Sequence, residues 1–103
     1  MPSYHRETTS TLTSGASYTG QIHNLINDNY LLAFVFSDVS GDVFIEQSPD
    51  RTHWYQMEDA QVQANDPTPI VSEAVCQYGR VYYENGAQSQ NTFRFFACRK
   101  EER

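Results

Sequence analysis

The segment Tyr30-Leu31-Leu32-Ala33-Phe34-Val35-Phe36-Ser37 decides the fold class. Successive residues of a strand point to opposite faces, so Tyr30, Leu32, Phe34 and Phe36 share one side and Leu31, Ala33, Val35 and Ser37 the other. Both sides are largely apolar, which is the pattern of a central strand with one face under a second sheet. Ser40-Gly41-Asp42 then reverses the chain into Val43 to Ser48, where Val43, Ile45 and Gln47 oppose Phe44, Glu46 and Ser48. The two segments are expected to form a hairpin.

The same period of two continues outward from this pair, and no segment sustains a 3.6-residue apolar repeat over three turns. Pro49-Asp50-Arg51-Thr52 has turn chemistry and leads into a strand from His53 to Met57, which Val62 continues more weakly. Asn65 to Pro69 is a further turn. Beyond it Ile70, Ser72, Ala74 and Cys76 share one face of a strand that ends at Tyr78-Gly79. Arg80 to Glu84 and Thr92 to Cys98 flank an Asn85-Gly86-headed connection, which reads as the clearest hairpin of the chain. Upstream, Gly15 and Gly20 bracket a short strand from Ala16 to Thr19, and Gln21 to Asn29 reads as a loop. About eight short strands with turns every eight to twelve residues predict an all-β fold, an antiparallel β-sandwich of jelly-roll-like form.

Three stretches organise the chain. Residues 1–14 form a polar, Thr- and Ser-rich extended arm or edge strand with so little to bury that its order is expected to come from a partner surface. Residues 15–98 form one sandwich domain, and residues 99–103, Arg-Lys-Glu-Glu-Arg, form a solvated charged tail. Six Phe, seven Tyr and one Trp in 103 residues supply a core without metal or several disulfides. Seven Lys plus Arg against thirteen Asp plus Glu leave a net charge of −6, which argues against a nucleic-acid surface built on clustered cations. No apolar run reaches the roughly 20 residues of a bilayer span, and no basic leader precedes an apolar stretch, so no membrane partner is expected.

The side chains with reactive chemistry are scattered. Cys76 and Cys98 are far from C-x-x-C spacing, and the readings open to them are two reduced buried thiols or one bridge between adjacent strands. His5, His23 and His53 accompany no Ser or Cys in a nucleophile setting, so no catalytic residue, metal ligand or cofactor is predicted. Asp38, Asp42, Asp50 and Asp66 sit in turns without a calcium-loop pattern and are expected to accept backbone hydrogen bonds. Arg80, Arg94, Glu46, Glu73 and Glu84 stand on strands where cross-strand pairing is open to them. Trp54 admits two readings, a plug closing one end of the sandwich or a ring on which a sugar stacks, in a platform with Tyr55 or Tyr82.

The run Gly41-Asp42-Val43-Phe44-Ile45-Glu46-Gln47-Ser48-Pro49-Asp50, then Trp54, then Arg80-Val81-Tyr82-Tyr83-Glu84-Asn85-Gly86-Ala87-Gln88-Ser89-Gln90-Asn91-Thr92-Phe93-Arg94-Phe95, resembles small structural modules of tailed bacteriophages. The resemblance spans Tyr18 to Phe96. Arg51 stands where those modules commonly have Gly, and Phe95-Phe96 replaces an aliphatic pair. The resemblance implies a virion β-sandwich without enzymatic activity. A standalone module of this size fits a capsid cement, or decoration, protein on the capsid exterior, assembled in the host cytoplasm. Its implied partners are the major capsid protein and further copies of itself, as a homotrimer rather than a dimer. The contact residues expected for that role are Pro2, Tyr4, His5, Arg6 and Leu12 of the arm, with Trp54 and Tyr55. A tail or fibre module that binds a glycan receptor is the alternative.

Overall fold

The computed structural model describes residues 5–100 and, among them, all regular structure is β-strand. The strands are β1 (His5–Thr8), β2 (Ser17–Thr19), β3 (His23–Asn24), β4 (Tyr30–Ser37), β5 (Gly41–Ser48), β6 (Tyr55–Val62), β7 (Thr68–Glu73), β8 (Tyr78–Asn85) and β9 (Phe93–Lys100). One sheet has the order β1-β9-β4-β7 and the other β2-β8-β5-β6, with β3 also on β8, and every pair is antiparallel. β2 and β3 pair with different stretches of β8, so together they act as one interrupted edge strand. The result is an eight-position jelly roll, as the strand spacing predicts.

The core forms where the inward rows of the two sheets meet. Leu31, Ala33 and Val35 of β4 and Phe93, Phe95 and Ala97 of β9 face Val43 and Ile45 of β5 and Val81 and Tyr83 of β8, all buried. Tyr83 packs on Phe93 with ring centroids 4.8 Å apart, and Tyr18 meets Phe95 edge-on at 5.9 Å. Gly41 leaves room for the hydroxyl end of Tyr83, because a Cβ there would collide with Tyr83 Oη and sit 2.6 Å from Cζ and 2.8 Å from the Glu84 carbonyl oxygen. Burial pushes the Tyr83 hydroxyl above its usual range.

Buried polar side chains fasten loops to this core. Gln47 occupies the inward row of β5, and its Nε2 donates to Ser72 Oγ (2.8 Å) and the Glu73 carbonyl (2.6 Å). Its Oε1 accepts from the N–H groups of Val75 and Cys76, so one side chain ties the connection after β7 to the opposite sheet. Asn85 donates to the carbonyls of Leu12, Thr13 and Gln88. Asp38 accepts from the N–H groups of Asn91 and Thr92, and Asp50 from those of Thr52 and His53. These backbone donors, Thr92 and His53 foremost, hold both carboxyls below their ordinary range.

Several local expectations change. β4 and β5 do not form a hairpin, since β4 pairs with β7 and β9 while β5 pairs with β6 and β8. β8 and β9 likewise lie in different sheets. A type I′ hairpin at Asn85-Gly86 needs positive φ at both residues; among the described residues only Gly15, Arg51 and Asn65 have it. Within the jelly roll β5–β6 is the hairpin, while the connections β4–β5, β6–β7, β7–β8 and β8–β9 cross the sandwich. The loop Gln21 to Asn29 contains β3, the strand predicted from His53 starts at Tyr55, and β9 runs through Arg99 and Lys100, two residues read as tail. β4 does lie inside its sheet, and both cysteines are free thiols.

Candidate functional site

The outer face of the second sheet is built by three cross-strand rows. Partners directly opposite share a face. Asp42 stands opposite Glu84, Phe44 opposite Tyr82, and Glu46 opposite Arg80. Phe44 and Tyr82 pack with centroids 5.7 Å apart. Arg80 Nε donates to Glu46 Oε1 at 2.7 Å, and its guanidinium lies 4.1 Å from the centroid of Trp54. Trp54 is half-buried beneath that cation on the outer face of the sheet, so it does not close an end of the sandwich as a plug, and the cation covers one face of its ring. Tyr55 is opposite the buried Gln47 and therefore belongs to the inward row, whereas Tyr82 is on the outer row. The expected platform of Trp54 with Tyr55 or Tyr82 is thus limited to Trp54 and Tyr82; Tyr55 stands on the other side, 56% exposed.

The described part of the arm, from His5 onward, is held by its own domain. Pro2 and Tyr4 lie outside the described residues. His5 and Arg6 pair through their backbones with Ala97 and Phe96, and the register shifts before Thr8. Glu7, at that irregularity, is buried and joins the two sheets. Its carboxylate accepts from the Gln21 N–H (3.1 Å) and the Tyr18 hydroxyl (3.3 Å) and lies 3.2 Å from His23 Nε2. Burial pushes the Glu7 carboxyl up, but the hydrogen bonds from His23 and Gln21 outweigh it and hold the group below its ordinary value. Burial and the Glu7 charge push the Tyr18 hydroxyl up. Leu12 packs on the core, its N–H donating to Gln90 Oε1 and its carbonyl accepting the Gln90 N–H. For strand β1 and Leu12 the expectation that a partner surface orders them is corrected, since β9, Glu7 and Gln90 of the same domain hold them.

The opposite flank of the sandwich is open. β6 and β7 end their sheets, and between them runs a groove of about 300 Å³ lined by Tyr30, Met57, Glu58, Val71, Ser72, Glu73 and Val75. Large apolar side chains are exposed along it, with Val75 at 64%, Val71 at 50% and Met57 at 38%. Both of the charged lining residues are carboxylates. Among the described residues no three His, Cys, Asp or Glu side chains gather as metal ligands.

A family model described as the uncharacterised protein YqxG N-terminal domain matches residues 2–99. The chain belongs to the YqxG N-terminal domain family. No curated protein matches its sequence. Among solved structures, the chain superposes on PBSX exported protein XepA with a TM-score of 0.92 at 19% identity. That match covers 98% of this chain and 38% of XepA, so the domain spans well under half of that protein's length. A Yersinia pseudotuberculosis-derived mitogen matches with a TM-score of 0.66 at 10% identity, over 100% of this chain and 90% of the other. A structure of Bacillus endospore appendages, disulfide-linked pili, matches at 0.63 and 12% identity, over 100% and 88%. At these identities the likeness is one of fold.

Within this YqxG-type domain, sequence reasoning missed Glu7 and the groove residues. Glu7 is one of several polar residues in a polar arm, and nothing local marks it as buried. Gln47 was legible in part, since it shares an alternating face with Val43 and Ile45. Met57, Val71 and Val75 read as ordinary strand residues until the topology leaves β6 and β7 at the sheet edges.

Proposed function

We propose that this chain is a non-enzymatic structural module of phage lineage that works as a capsid cement protein. In this reading it is a homo-oligomer that bridges neighbouring major capsid subunits on the outside of the virion. The observation that carries the reading is the superposition of nearly the whole chain on PBSX exported protein XepA, beside the resemblance of its strands to phage structural modules. The use of the buried polar side chains supports it, because Glu7, Gln47, Asn85 and Gln90 all tie loops or edge strands to the core. Cementing works by many shallow contacts repeated by symmetry, so avidity replaces a deep pocket. Since β1 and Leu12 are engaged in their own domain, the gripping surface is sought elsewhere. The outer row of the first sheet, Leu32, Phe34, Phe36 and Phe96, is apolar and half-buried, which suits a shallow contact. The test is co-sedimentation of the purified chain with particles of its phage grown without the gene, alongside light scattering of the free protein. Saturable attachment of an oligomer is expected; a monomer that stays in the supernatant at every concentration would end the reading.

The alternative, a glycan-binding module, has one observation in its favour. Trp54, Arg80, Tyr82 and Phe44 place aromatic surface beside a planar hydrogen-bonding group on one sheet face. A glycan array with Trp54→Ala as control decides it: a hit that survives the substitution removes this face from consideration.

A further inference from the structure

The open flank has the features of a strand-docking edge, and its polarity can be worked out from the ladder. The Ala74 N–H donates to the Asn29 carbonyl at 2.8 Å, directly opposite. Bonded and non-bonded pairs alternate along an antiparallel ladder. In the observed register Ser72 with Leu31 and Ile70 with Ala33 are therefore the bonded pairs. Glu73, Val71 and Pro69 are the non-bonded ones, and their backbone groups turn to the free edge. Pro69, which has no N–H, falls where the ladder needs none. The Glu73 carbonyl is taken by Gln47 Nε2. The free edge thus presents the N–H and C=O of Val71, the N–H of Glu73 and the C=O of Pro69, beside the groove and its exposed apolar wall.

We propose that this edge binds an extended, basic segment of a partner protein, added as a short strand to β7 with one apolar residue among lysines or arginines. The position of each charge follows from the register. A residue opposite Val71 exchanges two backbone bonds with it and lays its side chain on the same outer face, against a side chain that is half exposed. The next residue points toward β6, where Met57 and Glu58 line the groove; the one after stands opposite Glu73. Both groove charges are negative and the chain as a whole carries −6, so a cationic segment complements the site and a second acidic copy does not. The inference rests on the cement reading only for the identity of the partner, a neighbouring particle subunit.

The probe is the blocked peptide Lys-Lys-Val-Lys-Lys, symmetric so that either strand direction places charges alike, with Glu-Glu-Val-Glu-Glu as control. It is titrated into the full chain while backbone amide signals are followed by NMR. Expected are saturable shifts centred on the Val71 and Glu73 amides, weakened by salt and absent with the acidic control. Two exposed ion pairs are lost in the double variant Glu58→Gln/Glu73→Gln, which should weaken binding about fivefold. Val71→Lys, at an exposed position that leaves the core intact, should weaken it as well. Shifts centred elsewhere, no shifts at millimolar peptide, or an affinity that ignores both variants would overturn the inference. Particle attachment separates this outcome from the cement reading. If the double variant loses the peptide but still decorates particles, the groove is not the capsid contact. If the unaltered chain binds the peptide but never attaches to particles, the edge stands and the cement reading falls.

Discussion

Arg51 shows how a single residue records both strain and its compensation. Its φ of 69° lies in the left-handed region that favours glycine, the residue common at this turn in the phage modules the sequence resembles. Its guanidinium sits 5.5 Å from the centroid of Tyr78, an attraction worth roughly 0.5–1 kcal/mol at an exposed site. The left-handed conformation disfavours an L-residue by about 1–2 kcal/mol, of which the ring contact offsets about half, and the extra freedom of glycine in the unfolded chain, about 0.5–1 kcal/mol, takes up the rest in a glycine variant. Arg51→Ala keeps the strain and loses the ring contact, and is expected to destabilise by about 0.5–1 kcal/mol. Arg51→Gly loses both and should unfold at a denaturant midpoint close to that of the unaltered chain. A glycine variant no more stable than the alanine variant would show that the turn relaxes when the side chain is removed. The same scale sets what the sequence discloses about the site. Met57, Val71 and Val75 carry no special pattern, and their meaning comes from exposure at sheet edges that only the tertiary pairing creates.

At the scale of elements, strand β1 is only four residues long, pairs with β9 and is tied to the other sheet by the carboxylate of Glu7. Glu7 is buried and held below its ordinary value of 4.5, so the charged form is favoured by the fold. Its contribution is fully present above that ordinary value and is lost as the pH falls through the lower, folded value. Glu7→Gln, which disturbs the bonds with Gln21, Tyr18 and His23, is expected to cost about 1–3 kcal/mol at neutral pH. The gap in urea midpoint between the two proteins should close as the pH is lowered from 5 toward 3; a gap constant over that range would mean that the Glu7 charge contributes nothing. Asp38 and Asp50 also lose stabilising contacts in acid, but they do so in both proteins and drop out of the difference. Element identity was legible because period-two alternation survives in β4, β5, β8 and β9. Pairing was not. Turn residues such as Ser40-Gly41-Asp42 and Asn85-Gly86 encode a reversal of direction, and a chain that reverses within a sheet or across a sandwich satisfies the same local chemistry. The apolar pattern on both faces of β4 pointed to a second layer, yet it did not say that β5 belonged to it.

For the whole molecule, the jelly roll leaves two unlike flanks. On one, β1 and β2–β3 are joined across the sheets by Glu7, Tyr18, Gln21 and His23; on the other, β6 and β7 flank an open groove, with Gln47 anchoring the end of β7. Opening free energies vary across a fold with the density of buried contacts, so the flanks should differ in amide exchange while the centre follows global unfolding. The amides that β4 and β9 exchange with each other, around the buried Leu31, Val35, Phe95 and Ala97, are expected to be the slowest. The Val71 and Glu73 amides, turned to the free edge of β7, should exchange at close to unprotected rates. Glu7→Gln should accelerate the β1–β9 amides and leave the β4–β7 amides unchanged, because the carboxylate touches one flank only. If that substitution speeds exchange in β7 as much as in β1, the two flanks open as one cooperative unit, and a grip at the β7 edge would be felt by the arm on the far side.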